Sequence, residues 1–301
     1  MSFGSIDLLF NIVVMLFWIR LWNRNSRLVQ FNPYLSGIEH VTEPVIALFK
    51  PLVKNRAETV AAVSCLLILI LFRALALPGV NLQGIQNAWQ IQLGFVGITP
   101  SSCALSQVPL FLLFSILSFA VFLFQVWVFA VLFLKGYQQG MPSDRMTEFL
   151  YAISRPFSDT RPRQRPWFLL AYGILVIMLI NFTAHGSVAN TPVSGAALIL
   201  VPARYAVATI AGAVDLLMVL RSLLFILIIG SWILMFIGSN TFMIICQEWL
   251  NFLLSPFRRF PLRVGPLDLT PIIAFFALGI IHWVTKNILT RLYVYLLMIS
   301  A

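Results

Sequence analysis

Apolar residues in this chain gather into six long runs, separated by polar, basic or Gly- and Pro-containing segments. The runs lie near Leu8 to Trp22, Thr59 to Leu77, Pro109 to Leu134, Trp167 to Ala184, Leu216 to Ile237 and Leu269 to Val284. A transmembrane helix needs about 20 largely apolar residues, somewhat fewer where flanking side chains reach the interface, because hydrocarbon offers the backbone no other hydrogen-bond partner. The pattern therefore predicts an all-α membrane protein with about six transmembrane helices. The first run is the shortest; it extends back over Phe3 to Asp7 or sits in a thinned bilayer. After the last run, Lys286 to Ala301 mixes Lys286, Arg291 and Tyr293 with Leu, Ile and Val, which fits either a continuing helix or one lying along the interface.

Composition agrees with this class: 60% of the 301 residues are hydrophobic and only 10% charged, against roughly a quarter charged in a soluble domain. The basic residues then orient the chain, since Lys and Arg in short loops are retained on the cytoplasmic side. Arg20, Arg24, Arg27, Lys50, Lys54 and Arg56 fall between the first two runs, and Lys135, Arg145, Arg155, Arg161, Arg163 and Arg165 between the third and fourth. Arg258, Arg259 and Arg263 fall between the last two. Pro78 to Gln107 has no Lys or Arg and His185 to Asp215 has only Arg204, so these segments, with both termini, are expected outside a bacterial cytoplasmic (inner) membrane. No basic residue precedes the first run, which argues against a cleaved signal peptide. The net charge of +10 resides in these loops and not on a soluble face, so it speaks for anionic lipid and not for nucleic acid.

The three basic loops share a pattern. Thr42-Glu43-Pro44-Val45-Ile46-Ala47-Leu48-Phe49-Lys50-Pro51, Thr147-Glu148-Phe149-Leu150-Tyr151-Ala152-Ile153-Ser154-Arg155-Pro156 and Gln247-Glu248-Trp249-Leu250-Asn251-Phe252-Leu253-Leu254-Ser255-Pro256 each place a Pro eight residues after a Glu. The reading is an amphipathic interfacial helix, with Glu43, Glu148 and Glu248 in the first turn and Pro51, Pro156 and Pro256 as stops. Capping accounts for the three Glu without chemistry, and contact with a partner or ion is the alternative. The chain thus divides into three parallel units, each a helix, an interfacial helix and a helix, over residues 1–107, 108–212 and 213–301.

Phe31-Asn32-Pro33-Tyr34 with Val41-Thr42-Glu43-Pro44, and above all Pro256-Phe257-Arg258-Arg259-Phe260-Pro261 followed by Gly265-Pro266-Leu267-Asp268-Leu269-Thr270-Pro271, resemble the YggT family of small bacterial membrane proteins and its plastid relatives. The third unit carries the full pattern, whereas the first and middle loops lack the Gly-x-x-Asp-x-Thr-Pro element. Common members carry two such units in a shorter chain. The resemblance implies an integral membrane protein linked to osmotic or ion stress, to division and envelope organisation, or to assembly of a membrane cytochrome complex. It supplies no catalytic residue. Asp268 lies where it can accept amide bonds at the start of the last span, with Pro271 in the tolerated first turn. Arg258, Arg259 and Arg263 are near enough in sequence to pair with Asp268 or a lipid phosphate. Arg155, Arg161, Arg163 and Arg165 offer a second basic site, in which Arg161-Pro162-Arg163-Gln164-Arg165-Pro166 also reads as topogenic charge or a stiffened linker.

An enzyme needs positioned acids, bases, nucleophiles or metals. His40, His185 and His282 are not spaced as ligands, Cys65, Cys103 and Cys246 form no metal or redox motif, and no metal or cofactor is expected. A transporter would place ionisable groups near the midplane, and Arg73, Asp215, Arg221 and His282 are the candidates. Arg73, close to Pro78, is expected to snorkel outward. Asp215 and Arg221 fall at the outer mouth of the fifth run, on different faces. The function expected first is a non-catalytic module that organises, assembles or stabilises other membrane proteins or forms a homo-oligomer, in contact with anionic lipid. Small residues of the outer segment Val201 to Val214, such as Ala206, Ala208, Gly212 and Ala213, would allow close helix contact. Transport of an ion or small solute is the alternative.

Overall fold

The computed structural model describes residues 5–23, 32–52, 57–82, 90–98, 108–136, 144–156, 166–184, 195–237, 240–257, 263–264 and 267–300. Its helices are α1 (Ser5–Asn23), α2 (Pro33–Phe49), α3 (Ala57–Leu82), α4 (Val108–Gly136), α5 (Asp144–Ser154), α6 (Pro166–Ala184), α7 (Gly195–Val214), α8 (Leu216–Ile237), α9 (Asn240–Leu254) and α10 (Thr270–Ser300). Two short antiparallel hairpins complete the described residues. In one, β1 (Ile91–Leu93) pairs with β2 (Val96–Ile98); in the other, β3 (Arg263–Val264) pairs with β4 (Leu267–Asp268). The chain is all-α in class and membrane-embedded. Among the described residues, four helical stretches are long and apolar enough to cross a bilayer: Glu58–Ala76, Val108–Leu134, Leu200–Gly230 and Thr270–Ile299, with Trp167–Thr183 a shorter apolar helix.

Two of the expected boundaries move. The fifth apolar run does not begin at Leu216. It starts inside the segment expected to be an outer loop, because α7 is helical to Val214 and α8 resumes at Leu216, so that the apolar stretch is Leu200–Gly230. Asp215 lies within that stretch, contacted by His282 and Lys286 of the last helix. At the other end, the continuing-helix option for Lys286 to Ala301 holds: α10 is one helix of 31 residues, about 46 Å long at 1.5 Å per residue. The hydrocarbon core is about 30 Å thick, so α10 crosses it tilted or projects beyond it.

α10 runs antiparallel to α7 and α8 along its whole length. Phe275 meets Phe225 with ring centroids 5.9 Å apart, Lys286 meets Asp215, and the Tyr293 ring lies 5.9 Å under the Arg204 guanidinium. The β1–β2 hairpin inserts among α4, α6 and α7: Ile91 and Leu93 are fully buried, in one cluster with Leu117 and Phe124 of α4, Val176 and Ile177 of α6, and Ala208 of α7. Its turn needs a glycine. Gly94 has φ +62°, and a Cβ there would collide with the Ala208 carbonyl, so the turn rests directly on the α7 backbone. Ala208 and Gly212, noted from the sequence for close helix contact, in fact receive this hairpin.

Candidate functional site

Three polar constellations stand out among the described residues. The first lies at the basic end of the bundle, where α2, α5 and α9 meet. α2 buries Leu35, Thr42 and Ile46 at helical spacing and exposes Val41, Val45 and Leu48, the arrangement of a helix with one face on protein and another on lipid. Asn32 caps it, its Oδ1 accepting from the Tyr34 and Leu35 amides at 3.1 and 3.5 Å. The other end of the same side chain donates to the Arg145 carbonyl at 2.6 Å and to Glu148 at 3.4 Å, both on α5. The next residue but one reaches α9, because the Tyr34 hydroxyl donates to Glu248 at 2.7 Å. Burial and the Glu248 carboxylate together push that hydroxyl above its ordinary range. The Tyr34 ring completes an aromatic triangle, 5.2 Å from Phe149 and edge-on to Trp249 at 6.3 Å, with Phe149 edge-on to Trp249 at 6.4 Å. Asn32-Pro33-Tyr34 thus joins all three basic-loop helices.

The Glu residues do not sit in first turns. Glu43 is the eleventh residue of α2 and Glu248 the ninth of α9, while Glu148 is the fifth of α5. What the three helices share is their end, since each stops two residues before Pro51, Pro156 or Pro256. The dipole at a helix N-terminus acts only over its first turn, so capping does not explain these residues and lateral bonding does. Glu43 accepts from Arg20 of α1 and from Lys50, which holds its carboxyl below the usual carboxylate range. Arg20 also donates to Thr42 at 2.7 Å. Beside this pair, Ile19, Arg20, Asn23, Leu35, Ile38, Glu39 and Glu58 line a small cleft of about 50 Å³ between α1, α2 and α3.

The second constellation overturns the snorkelling of Arg73. Its side chain is fully buried and turned inward, donating from Nε to Ser115 Oγ at 2.7 Å and from its terminal nitrogens to the Ser115 carbonyl and Asn11 Oδ1. Asp7 of α1, also fully buried, lies 3.5 Å from the guanidinium and accepts from Ser118 Oγ at 2.6 Å and Asn11 at 3.4 Å. Asn11 donates to Ser118 as well, at 3.0 Å, and Ser115 Oγ donates to the Ile70 carbonyl at 3.0 Å. Arg73 turns inward because α1 and α4 supply oxygen there, and an outward route to water would leave Asp7 unpaired.

The third constellation lies on the long antiparallel pair. Asp215 occupies the break between α7 and α8, where its carbonyl accepts from Met218, an i→i+3 bond of the tighter helical type. Lys286 Nζ donates to both carboxylate oxygens at 2.7 Å, and His282 Nε2 lies 3.2 Å from Oδ1. Asp215 stands fifteen residues from either end of Leu200–Gly230, and His282 and Lys286 straddle the middle of Thr270–Ile299. This corrects the placement of Asp215 and Arg221 at an outer mouth. Arg221 serves a different neighbour, as its spacing implies, lying 4.1 Å over the Phe275 ring in space left by Gly279.

Of the other expected site residues, Arg155 is half-buried in the turn after α5. The backbones of Arg263 and Asp268 are paired in the register of the β3–β4 hairpin, and the next helix opens at Thr270 with Pro271 in its first turn. Arg161, Arg163, Arg165, Arg258, Arg259 and Cys103 lie outside the described residues. Cys65 and Cys246 are buried, in keeping with packing roles. Among the described residues no group of three or more His, Cys, Asp or Glu is placed to hold a metal ion.

The sequence reading missed Asp7, Asn11, Ser115, Ser118 and Lys286. Signals existed for some of them. Asp7 and Asn11 are one helical turn apart, as are His282 and Lys286, and Ser115 and Ser118 interrupt an otherwise apolar run. Compared with protein-family models, curated proteins and solved structures, the chain has no significant match.

Proposed function

We propose that the chain is a non-catalytic protein of the bacterial cytoplasmic membrane that organises, assembles or stabilises other membrane components. The observation that carries this reading is the joining of α2, α5 and α9 through Asn32 and Tyr34, which makes one continuous surface at the basic end out of three separate loops. Its exposed Val41, Val45 and Leu48 suit acyl chains, and the neighbouring Lys and Arg suit anionic headgroups at about 1 kcal/mol per residue near the surface. The resemblance to the YggT family supports the same reading. In this reading the chain has six spans in three parallel units, with α1 and α6 as the shorter spans and both termini outside. The test is native mass spectrometry of the full chain purified from its own membrane, comparing wild type with a double Arg258→Ala, Arg259→Ala variant. Loss of co-purifying partner or anionic lipid at unchanged insertion is the expected result, and an unchanged spectrum refutes it.

A second reading, transport of an ion or small solute, is favoured by Asp215, His282 and Lys286 at a helix break midway along two spans, the place where transporters put their sites. Flux into proteoliposomes that is absent from Asp215→Asn would support it. Absence of flux across cations, anions and osmolytes would remove it.

A further inference from the structure

The cleft between α1, α2 and α3 carries charges of both signs beside an apolar lining. Ile19, Leu35 and Ile38 form that lining, with Arg20, Glu39 and Glu58 around it. Glu58 opens the membrane-crossing stretch Glu58–Ala76, which puts the cleft at one boundary of the hydrocarbon. α1 runs antiparallel to α3, since Phe10 packs on Phe72 while Phe17 joins Ala61 and Cys65 in one cluster, so Arg20 comes to the level of Glu58. Headgroups occupy that level. Nearby, Glu43 is matched by Arg20 and Lys50. Glu39 differs: its carbonyl accepts from Arg20 at 3.1 Å, but its carboxylate has no partner among the described residues.

We propose that this cleft binds the phosphoethanolamine headgroup of a phospholipid. The ammonium enters between Glu39 and Glu58 and donates its N–H groups to their carboxylates, while the phosphate stays at the rim beside Arg20. Arg20 uses Nη1 on the Glu39 carbonyl and Thr42 and one Nη2 proton on Glu43, which leaves Nε–H and the other Nη2 proton for a phosphate oxygen. The two methylenes between ammonium and phosphate meet Ile19, Leu35 and Ile38.

Size and hydrogen bonding select among headgroups. The cleft of about 50 Å³ holds roughly three to five water-sized groups at about 10–15 Å³ each, which suits an ammonium and two methylenes but not the three added methyls of choline. Choline also has no N–H to give a carboxylate, and a phosphoglycerol headgroup brings no cation to Glu39. The site is held in shape without lipid, because Asn23 donates to the Ile19 and Ala152 carbonyls at 2.9 and 3.1 Å and so pins the end of α1 to α5. A lysine of another protein offers the same ammonium. The Arg20 donors beside the carboxylates and the exposed apolar Val41, Val45 and Leu48 of α2 favour a lipid, with its phosphate and acyl chains.

The experiment titrates the full chain, delipidated in detergent, with dioleoyl-phosphatidylethanolamine, dioleoyl-phosphatidylcholine and dioleoyl-phosphatidylglycerol, and counts bound lipids by native mass spectrometry. Expected is one tightly held phosphatidylethanolamine per chain, with phosphatidylcholine about tenfold or more weaker for the loss of charge-assisted hydrogen bonds. Glu39→Gln and Glu58→Gln should each reduce that preference and together abolish it, with phosphatidylglycerol adducts unchanged as the measure of an intact fold. Ile38→Trp, which fills the cleft and keeps every charge, should abolish it too. Equal retention of phosphatidylethanolamine and phosphatidylcholine by wild type overturns the proposal, as does a preference that survives in the double Glu39→Gln, Glu58→Gln variant. Carbodiimide applied to native membranes should join Glu39 or Glu58 to the lipid amine; a cross-link to a protein lysine in its place overturns the headgroup assignment. Both readouts are independent of Arg258 and Arg259, so this site can fail while the assembly reading stands.

Discussion

Replacing Arg73 by Ala should be among the most damaging single changes to the bundle, and its cost can be worked from the contacts. The substitution leaves the Asp7 carboxylate, with no exposure to solvent, without its cation at 3.5 Å, and strips Ser115 and Asn11 of their donors. Breaking a buried ion pair from one side costs about 3–5 kcal/mol. The neutral hydrogen bonds add less, about 0.6 kcal/mol each on average between membrane helices, because the unfolded chain in lipid also finds partners. The expected loss is therefore about 3–5 kcal/mol, a shift of roughly a hundred- to several thousand-fold in the folding equilibrium at roughly tenfold per 1.4 kcal/mol. Asp7→Asn should also be costly, since it leaves the buried guanidinium without its counter-charge even though the amide still accepts from Ser118. A double Asp7→Asn, Arg73→Met variant should lose less than the sum of the two single changes, with a coupling of about 1–3 kcal/mol. Unfolding in mixed micelles, followed by tryptophan fluorescence, measures all three. Additive losses, or a loss under about 1 kcal/mol for Arg73→Ala, would mean that Arg73 reaches the interface and that the inward network does not hold α1, α3 and α4 together.

Three further outcomes follow from the other contacts. Tyr34→Phe removes the hydroxyl from Glu248 but keeps the aromatic triangle, so it should cost about 1–2 kcal/mol and speed amide exchange in α9 more than in α2; equal effects in both helices would refute the bridge. The carboxyl of Glu43 is lowered first by the bond from Arg20 and then by that from Lys50, so its folded value lies below its unfolded one. Its support for the α1–α2 contact is complete above the ordinary carboxylate range of about 4 and is lost as pH falls through the depressed value. Hydrogen exchange of α2 should rise on acidification in wild type and stay flat in Glu43→Gln; the side chain is 40% exposed, so the effect is screened and small. Gly94→Ala combines positive φ with a collision at the Ala208 carbonyl and should cost about 2–4 kcal/mol in thermal stability, whereas Gly230→Ala, in open space on α8, should be neutral or slightly stabilising.

Local signals were readable along the chain and long-range ones were not. The apolar runs place α3, α4 and α6 within a few residues, and the prolines of the basic loops mark where α2, α5 and α9 end, because both depend on a side chain's own backbone and immediate solvent. Whether Arg73 points in or out depends on Asp7 and Ser115, which lie 66 and 42 residues away and declare themselves only as isolated polar positions in apolar helices. The same holds for Asp215. Read alone it marks the end of a span; paired with Lys286, 71 residues later, it becomes the middle of one. The Glu-to-Pro spacing was legible and its meaning was not, since the repeat is anchored at the helix end and the Glu partners come from other elements.

Two carboxylate–cation pairs in one bundle invite comparison. Asp7 and Arg73 are sealed among α1, α3 and α4, with serine and asparagine hydroxyl and amide groups filling most of the remaining valences. Such a pair is costly to form and costly to break, so it resists change of any kind. Asp215 and Lys286 have fewer supporting bonds, keep about a fifth of their exposure and sit at a helix break. Asp215 and Lys286 therefore hold α10 to the α7–α8 break with fewer side-chain partners than Asp7 and Arg73 use to join α1, α3 and α4.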